Sequence, residues 1–531
     1  MFEDFALPPL AERTVATVLQ TQAKRTPDKV AVVDPTRSLS YGQLLDVATR
    51  TAGAFQARGV SRGDRVLLML DNHVDWVVAW LGLATLGAVE VPVNTAYKGV
   101  MLEHIITSSG ADVIVVESAY LPRLEELPGG VSRFRLVIER EPAPGSSAVD
   151  WRELEGAGPA VLHENGPSDV AAIIYTSGTT GPSKGVVTPE AHAYGYATPA
   201  ALGAPRQDDV SFVALPLFHV GGHLCGVYAA LMAGATAFIP PRFSTDTFWA
   251  EVKAVGATFA TLVGAMVNFL MAQAPSPDDA VNPLRYAALA PISGSTPAFL
   301  KRFGLEACCS GYGSTEASSP LCIPLTADPL PFSLGWVRPD YEVAVVDEHD
   351  LPVPPGEVGE IVIRSREPWT LMAGYDGDAA KTARAWRNLW YHSGDLVSQR
   401  AEDGQFVLVD RLSDSIRRRG ENISSYSIET VMNQHADIID SAAIGVPDEV
   451  SGQEVLVVVW RQPQSSLTER ELVEHLIERL PHFMVPRYVR FISEDFQRTA
   501  SGKIKKDVLR SEGLAAGTWD RSESGIEVRR R

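Results

Sequence analysis

No apolar run in this chain is long and uninterrupted enough to span a bilayer; even Val77 to Val89 is too short. A basic excess is missing as well. The formal net charge is −18, which argues against a surface built for nucleic acid or anionic membrane, since both reward a basic face. A phosphate ligand remains allowed, because a few local cations and backbone amides suffice to hold one. The start, "MFEDFALPPLAERT", lacks a basic segment ahead of an apolar core, so no secretory signal is expected and the cytoplasm is the expected compartment. Cysteine is scarce: Cys225, Cys308, Cys309 and Cys322 show neither zinc spacing nor a disulfide framework. They are expected to be buried structural thiols, with adjacent Cys308 and Cys309 facing opposite ways on a strand. No internal repeat stands out either, which argues against a solenoid.

What is present is an ordinary globular balance, 45% hydrophobic and 21% charged over 531 residues, enough for a large core and a deep site. Strand and helix patterns alternate through the first half. "TVATVLQTQAKRT" is helical, "KVAVVD" reads as a strand, and "LSYGQLLDVATRTAGAFQARG" returns to helix before Gly59. "DRVLLMLD", "WVVAWLGLATLGA" and "ADVIVVE" continue the alternation, which implies parallel sheets covered by helices. The boundary falls near Asp410–Asp414, where the chain becomes charged and a smaller α/β pattern begins. That pattern holds "SAAIGV", "EVLVVVW" and a helix opening on the capping box Thr468 to Glu471, with Leu472, Val473, Leu476, Ile477 and Leu480 as one apolar stripe. Residues 1–411 are thus expected to form a large domain and 414–513 a small one. Residues 514–531 have little to bury and are expected to fray.

The chemistry-bearing segments begin with "IIYTSGTTGPSKGVV", Ile173 to Val187. It is not a Walker loop: Gly178 and Gly181 are two residues apart, and Lys184 is followed by Gly185 and a strand. A helix is expected only from Thr188 and Pro189, as N-cap and first-turn pair. The loop therefore joins two strands, and it reads equally as a flexible turn or as a phosphate grip. Glycines permit close approach, Thr176, Ser177, Thr179 and Thr180 offer hydroxyls, and Lys184 adds a charge. Further on come "GYGSTEAS" from Gly311, "YHSGDLV" from Tyr391, "DRLSDSIRRRGENISSYSIE" from Asp410 and "RTASGKIKKDVL" from Arg498. Singly, each reads as a turn or cap.

Taken in this order, the set resembles the adenylate-forming (AMP-binding) superfamily in its acyl-CoA ligase branch, from "LSYGQL" to Lys503. The resemblance implies an α/β fold: a large N-terminal domain of helix-covered sheets and a small mobile α+β C-terminal domain. It implies a two-step reaction in which a carboxylic acid and ATP give acyl-AMP and pyrophosphate, and CoA then displaces AMP. The loop residues Thr176, Ser177, Gly178, Thr179, Thr180, Gly181 and Lys184 inherit the grip on the β- and γ-phosphates. Tyr312, between Gly311 and Gly313, matches the ring stacked on adenine. Thr315 matches the α-phosphate contact, and Glu316 the carboxylate holding Mg2+. Asp395 matches the acceptor of the ribose hydroxyls, with Arg411 as a second ribose contact. Lys503 corresponds to the cation between the substrate carboxylate and the α-phosphate, where it lowers repulsion between two anions. Lys505 and Lys506 read as solvated surface lysines. Gly420, Glu421 and Asn422 would line the pantetheine tunnel after domain rotation, and Arg417 to Arg419 either touch CoA phosphates or form a solvated face.

Amino-acid-activating relatives carry an aspartate within the segment here written "LPLFHVGGH". This chain has Phe218-His219-Val220, which favours an acid without an α-amino group. His219 matches a gate between the acyl pocket and the thiol tunnel, with a structural histidine as the other reading. Gly264, Ala265 and Gly294 leave room for a bulky acid, and Ser293-Gly294-Ser295 stands where Gly-Gly-Ala is usual. Two further departures concern domain motion: Ser413 occupies the hinge position, where a charge is usual, and Ser427 replaces a glutamate. An enzyme specialised for thiolation of an adenylate made elsewhere is one alternative, and a nucleotide-binding scaffold without turnover is another. A homodimer is an allowed assembly.

Overall fold

The computed structural model describes residues 2, 5–160, 164–176, 183–328, 330–411, 414–418, 421–448, 452–499, 502–526 and 528. Its strands form three sheets. An eight-stranded sheet is mostly parallel, running from Val149–Asp150 at one edge through Leu136–Arg140, Val113–Glu117, Arg65–Met69 and Val89–Pro92. It ends in an antiparallel trio: Val170–Thr176, Lys184–Pro189 and the short Gly374–Tyr375. A thirteen-stranded sheet has a parallel half, which includes Phe259–Val263, Tyr286–Ala290 and Ala307–Ser314, and an antiparallel half from Ser318–Ile323 onward.

The period-two rule explains how one apolar run fills two cores. In Arg65–Met69, Val66 and Leu68 join the cluster holding Trp76 and Trp80, while Leu67 and Met69 join the opposite one. The helix Val74–Leu86 buries every residue except Asp75, because both large sheets contribute to the core around it. Such a helix is apolar all round rather than striped. Cys308 and Cys309 are buried in separate clusters, as expected of neighbours on a strand.

The six-stranded sheet belongs to the small domain. Ile438–Asp448 and Gly452–Arg461 pair antiparallel, and their alternate residues feed two cores: Ala443, Val455 and Val457 on one face, Ala442, Leu456 and Val458 on the other. The capping box closes as expected, Glu471 N donating to Thr468 Oγ1 at 3.3 Å and Thr468 N to Glu471 Oε2 at 2.9 Å. The helix itself is Glu469–Ile477, and Leu480 enters the core from beyond its end.

Three expectations are corrected. Thr188 is buried inside Lys184–Pro189, and Pro189 is the N-cap of the helix Glu190–Ala197, because pairing with Val170–Thr176 extends the strand by two residues. The tail does bury surface. Trp519–Asp520 pairs with Tyr488–Ile492, Arg487 holds Asp520 at 3.0 Å, and Trp519, Ile526 and Val528 pack against the small-domain core. Lys506 is not solvated; its ion pair is described below. No helix among the described residues is long and apolar enough to cross a membrane.

Candidate active site

The phosphate-loop segment is a hairpin end. Val170–Thr176 and Lys184–Pro189 pair so that Thr176 faces Lys184 and Tyr175 faces Gly185. Ser177, Gly178, Thr179, Thr180 and Gly181 lie outside the described residues. The hairpin base is held from below: His104 Nε2 meets Ser183 O at 2.8 Å, and Tyr175 OH meets Ser108 Oγ at 2.7 Å. A Cβ on Gly185 would sit 2.9 Å from Ile173 Cγ2, so glycine lets the strands close. Lys184 Nζ lies 5.0 Å above the ring of Tyr375, and Tyr375 OH donates to Glu316 Oε1 at 3.0 Å. Tyr375 thus joins the loop lysine to the expected magnesium carboxylate. It reaches both because Gly374–Tyr375 pairs with Val186 and Val187 while Met372 N donates to Glu316 O at 3.0 Å.

Glu316 and Thr315 occupy the turn between Ala307–Ser314 and Ser318–Ile323, both half-buried. The two strands meet closely there. A Cβ on Gly313 would lie 2.2 Å from Ser318 O, and one on Gly311 would lie 2.8 Å from Leu321 O. Neither separation is tolerated by real side chains, so these glycines set the strand spacing that presents Tyr312. Tyr312 OH donates to Asp395 Oδ2 at 2.7 Å. Asp395 lies opposite Arg411 in the pairing of Tyr391–Gln399 with Phe406–Arg411. Ser393 Oγ accepts from Asp395 N at 3.0 Å, and Glu360 Oε1 from Gly394 N at 2.9 Å, so the carboxylate rests on a braced turn. Tyr312 and Asp395, the residues expected at adenine and ribose, are therefore neighbours.

At the other end, His219 caps a short helical turn, its Nδ1 accepting from Gly221 N at 3.2 Å. Asn72 anchors this segment twice, through Leu217 N at 2.9 Å and Leu215 O at 3.2 Å. Burial depresses the imidazole to about 4, and the nearby Lys503 ammonium adds to the depression. His219 is thus neutral near pH 7, and the small-domain turn carries Lys503 within electrostatic range of it. The turn is a tight hairpin: Lys503 N donates to Thr499 Oγ1 at 3.1 Å, Thr499 N donates to Lys503 O at 2.7 Å, and Arg498 bridges Ile504. Across the same domain junction, the Phe332 and Tyr426 rings meet edge to face at 5.4 Å and Arg498 lies 5.9 Å above Phe269.

The residues expected to serve thiolation are described only in part. Gly420 lies outside the described residues, and Glu421 and Asn422 are described only in the pairing of Glu421–Ile423 with Ile416–Arg418. Within the arginine run, the Arg418 guanidinium is 2.7 Å from Glu454 Oε2 and its side chain is only 11% exposed, so Arg418 itself is not a solvated residue. Arg419 lies outside the described residues. Ser293 and Ser295 hydroxyls meet at 2.8 Å, which occupies them with each other. Tyr375, Asn72 and Tyr196 were missed in the sequence. Tyr196 is buried close to Cys225 and Glu316, and burial, with the Glu316 charge adding to it, raises its hydroxyl. None of the three stands in a motif rich in chemistry, so only tertiary contact reveals them.

The implied magnesium fits this donor set. Among the described residues no group of three or more histidines, cysteines or carboxylates forms a metal cage, and Glu316 is one half-buried carboxylate. That matches an ion held by one carboxylate plus nucleotide phosphates and water.

Comparison with known proteins agrees with the geometry. Residues 19–376 match the AMP-binding enzyme family, and residues 427–503 match the AMP-binding enzyme C-terminal domain. The chain is 31% identical over 489 residues to a crotonobetaine/carnitine–CoA ligase of Salmonella paratyphi A, covering 89% of this chain and 93% of that one. A benzoate CoA ligase from Burkholderia xenovorans superposes with a TM-score of 0.84 at 26% identity, covering 94% of this chain and 99% of that one. ATP-bound MatB from Rhodopseudomonas palustris superposes with a TM-score of 0.83 at 26% identity, covering 93% and 98%.

Proposed function

The chain belongs to the AMP-binding enzymes and is an ATP-dependent acyl-CoA ligase, and from that premise we propose that it activates a carboxylic acid without an α-amino group. The observation that carries this reading is that Lys503 comes near enough to buried His219 for its charge to act on the imidazole, with the Tyr312–Asp395 pair and Glu316 in the large domain that holds His219. The acid's carboxylate attacks the α-phosphorus of ATP, the bond to the β-phosphate oxygen breaks, and pyrophosphate leaves. Lys503 supplies the positive charge between the two approaching anions. Neutral His219 adds none, so Lys503 is the cation placed at that end. Tyr312 and Asp395 orient the nucleoside, and Lys184 with Thr176 faces the departing phosphates. Glu316 would hold Mg2+, which supplies charge neutralisation on the phosphates when bound. In the second step the CoA sulfur attacks the acyl carbon, the thiol proton passes to solvent, and AMP leaves with the bonding electron pair.

The acid assignment rests on Phe218-His219-Val220, which offers no carboxylate to an α-ammonium group. The named relatives agree, since neither benzoate nor carnitine has an α-amino group. The four cysteines are all unpaired, which fits the reducing cytoplasm. ATP–pyrophosphate exchange with carnitine, crotonobetaine, benzoate and α-amino acids tests the reading, with thioesters read by mass after CoA is added. Exchange with α-amino acids alone overturns the acid class. Thioester from a supplied adenylate without any exchange establishes the thiolation specialist instead.

A further inference from the structure

Lys506 follows Lys503 by three residues and opens the helix Lys506–Glu512. Its Nζ lies 2.6 Å from Glu429 Oε1, with both side chains only 14% exposed, and donates to Ser425 Oγ at 2.7 Å. Ser425 is fully buried and is itself held by Asp410: its N donates to Oδ2 at 2.6 Å and its hydroxyl to Oδ1 at 3.2 Å. Asp410 is the next-to-last residue of the large-domain strand Phe406–Arg411, at the start of the domain boundary, whereas Ser425, Glu429 and Lys506 lie beyond it. Ser424 Oγ adds a second link by donating to Val409 O. Glu429 Oε1 also accepts from Ala443 N at 2.7 Å, which ties the cluster to the small-domain sheet.

A lysine that merely stabilised the small domain would need only Glu429. Lys506 instead shares its proton donors with a serine whose other contacts are to the large domain. The helix has no side-chain N-cap bond of its own, so Lys506 fixes its first residue, and the Lys503 hairpin leads directly into it. We propose that Lys506 is a positioning residue for adenylation: through Ser425 and Asp410 it registers the Lys503 turn against the large domain. The link crosses the boundary only at the end of Phe406–Arg411, so it belongs to the arrangement that brings Lys503 near His219. Rotation of the small domain away from that strand would break it. The inference rests on the acyl-CoA ligase reading, since it assigns Lys503 to the first half-reaction.

The test uses the full chain and whichever of carnitine, crotonobetaine and benzoate supports most exchange in the unsubstituted protein. Lys506→Met is expected to lower kcat for exchange by about 10²-fold, the cost of a misplacement near 1 Å, with KM for ATP little changed. Thioester formation from the synthetic acyl adenylate and CoA should stay within about threefold, and Lys506→Arg should recover most of the exchange. Ser425→Ala, which leaves no buried charge unpaired, should lower exchange selectively but less. An acid-independent measurement accompanies these. With Lys503→Cys and His219→Cys installed, the yield of a short bis-maleimide cross-link, mapped by peptide mass, should fall when Lys506→Met or Ser425→Ala is added. Unchanged exchange and cross-linking, or equal loss of both half-reactions in Ser425→Ala, overturns the proposal. Absence of exchange and of thioester in the unsubstituted chain overturns the ligase reading instead, while the cross-link yield still judges the positioning.

Discussion

The two ends of the site are built differently. At the nucleotide end, Tyr312, Glu316 and Asp395 are presented by paired strands of one domain, and the spacing of the Tyr312 pair is set by Gly311 and Gly313, which have no room for a Cβ. At the acyl end, Lys503 arrives on a hairpin from the other domain and is held there through a few polar contacts centred on Lys506. Strand register cannot change by less than a residue, so the first end is rigid. The second end depends on bonds that rotation of one domain can make or break. On the proposed reading this asymmetry serves the two steps: the adenylate stays bound at the first end while Lys503 withdraws from the second.

The largest effect expected separates the ends by half-reaction. Lys503→Ala should lower ATP–pyrophosphate exchange by about 10²- to 10³-fold while thioester formation from a synthetic acyl adenylate continues. Equal loss of both steps would break the comparison. Tyr312→Phe works at the rigid end and removes a hydrogen bond to a carboxylate, a change of about 1.5–3 kcal/mol. It should weaken ATP in the first step and the adenylate in the second by similar factors, measured as KM for each. An effect confined to exchange would show that Tyr312 acts in one state only.

A stability measurement sharpens the contrast further. Gly313→Ala places a Cβ 2.2 Å from Ser318 O and should lower stability by about 1–3 kcal/mol, read as a denaturation midpoint. An unchanged midpoint would show that the two strands can part, and the nucleotide end would lose its claim to rigidity. The smallest effect concerns pH. With its pKa depressed to about 4, His219 stays neutral from pH 5 to 8 and should contribute no titration to the activity profile in that range. His219→Asn should therefore leave the shape of the kcat profile unchanged. Because the folded form binds the proton less tightly than the unfolded form, its contribution to stability is complete above about pH 6.5 and is lost as pH falls through about 4.

Much of the fold was legible because apolar period and turn residues act locally. The strand at Arg65–Met69 and the capping box at Thr468 needed no partner to be read. The tail was misread for the opposite reason: Trp519 has no apolar neighbours in sequence and finds its partners on Tyr488–Ile492 and the small-domain core. The candidate site divides in the same way. Lys184, Tyr312, Glu316, Asp395 and Lys503 stand in ordered motifs, and the resemblance of that ordered set to a known superfamily implied adenylate chemistry. Tyr375 and Asn72 stand in none, yet they hold Glu316 and the His219 segment in place.

By itself, the sequence supplied an ordered set of short motifs, each confined to a few adjacent residues, and their resemblance to a known superfamily implied the reaction class. Which lysine is a surface charge and which a buried strut was decided only by tertiary structure. In "KIKK", Lys505 and Lys506 are neighbours with the same side chain and the same solution pKa. Folding delivers Glu429 and Ser425 to Lys506, 77 and 81 positions away along the chain. A cation's role is set by the charges around it, and those are known only once the chain has closed.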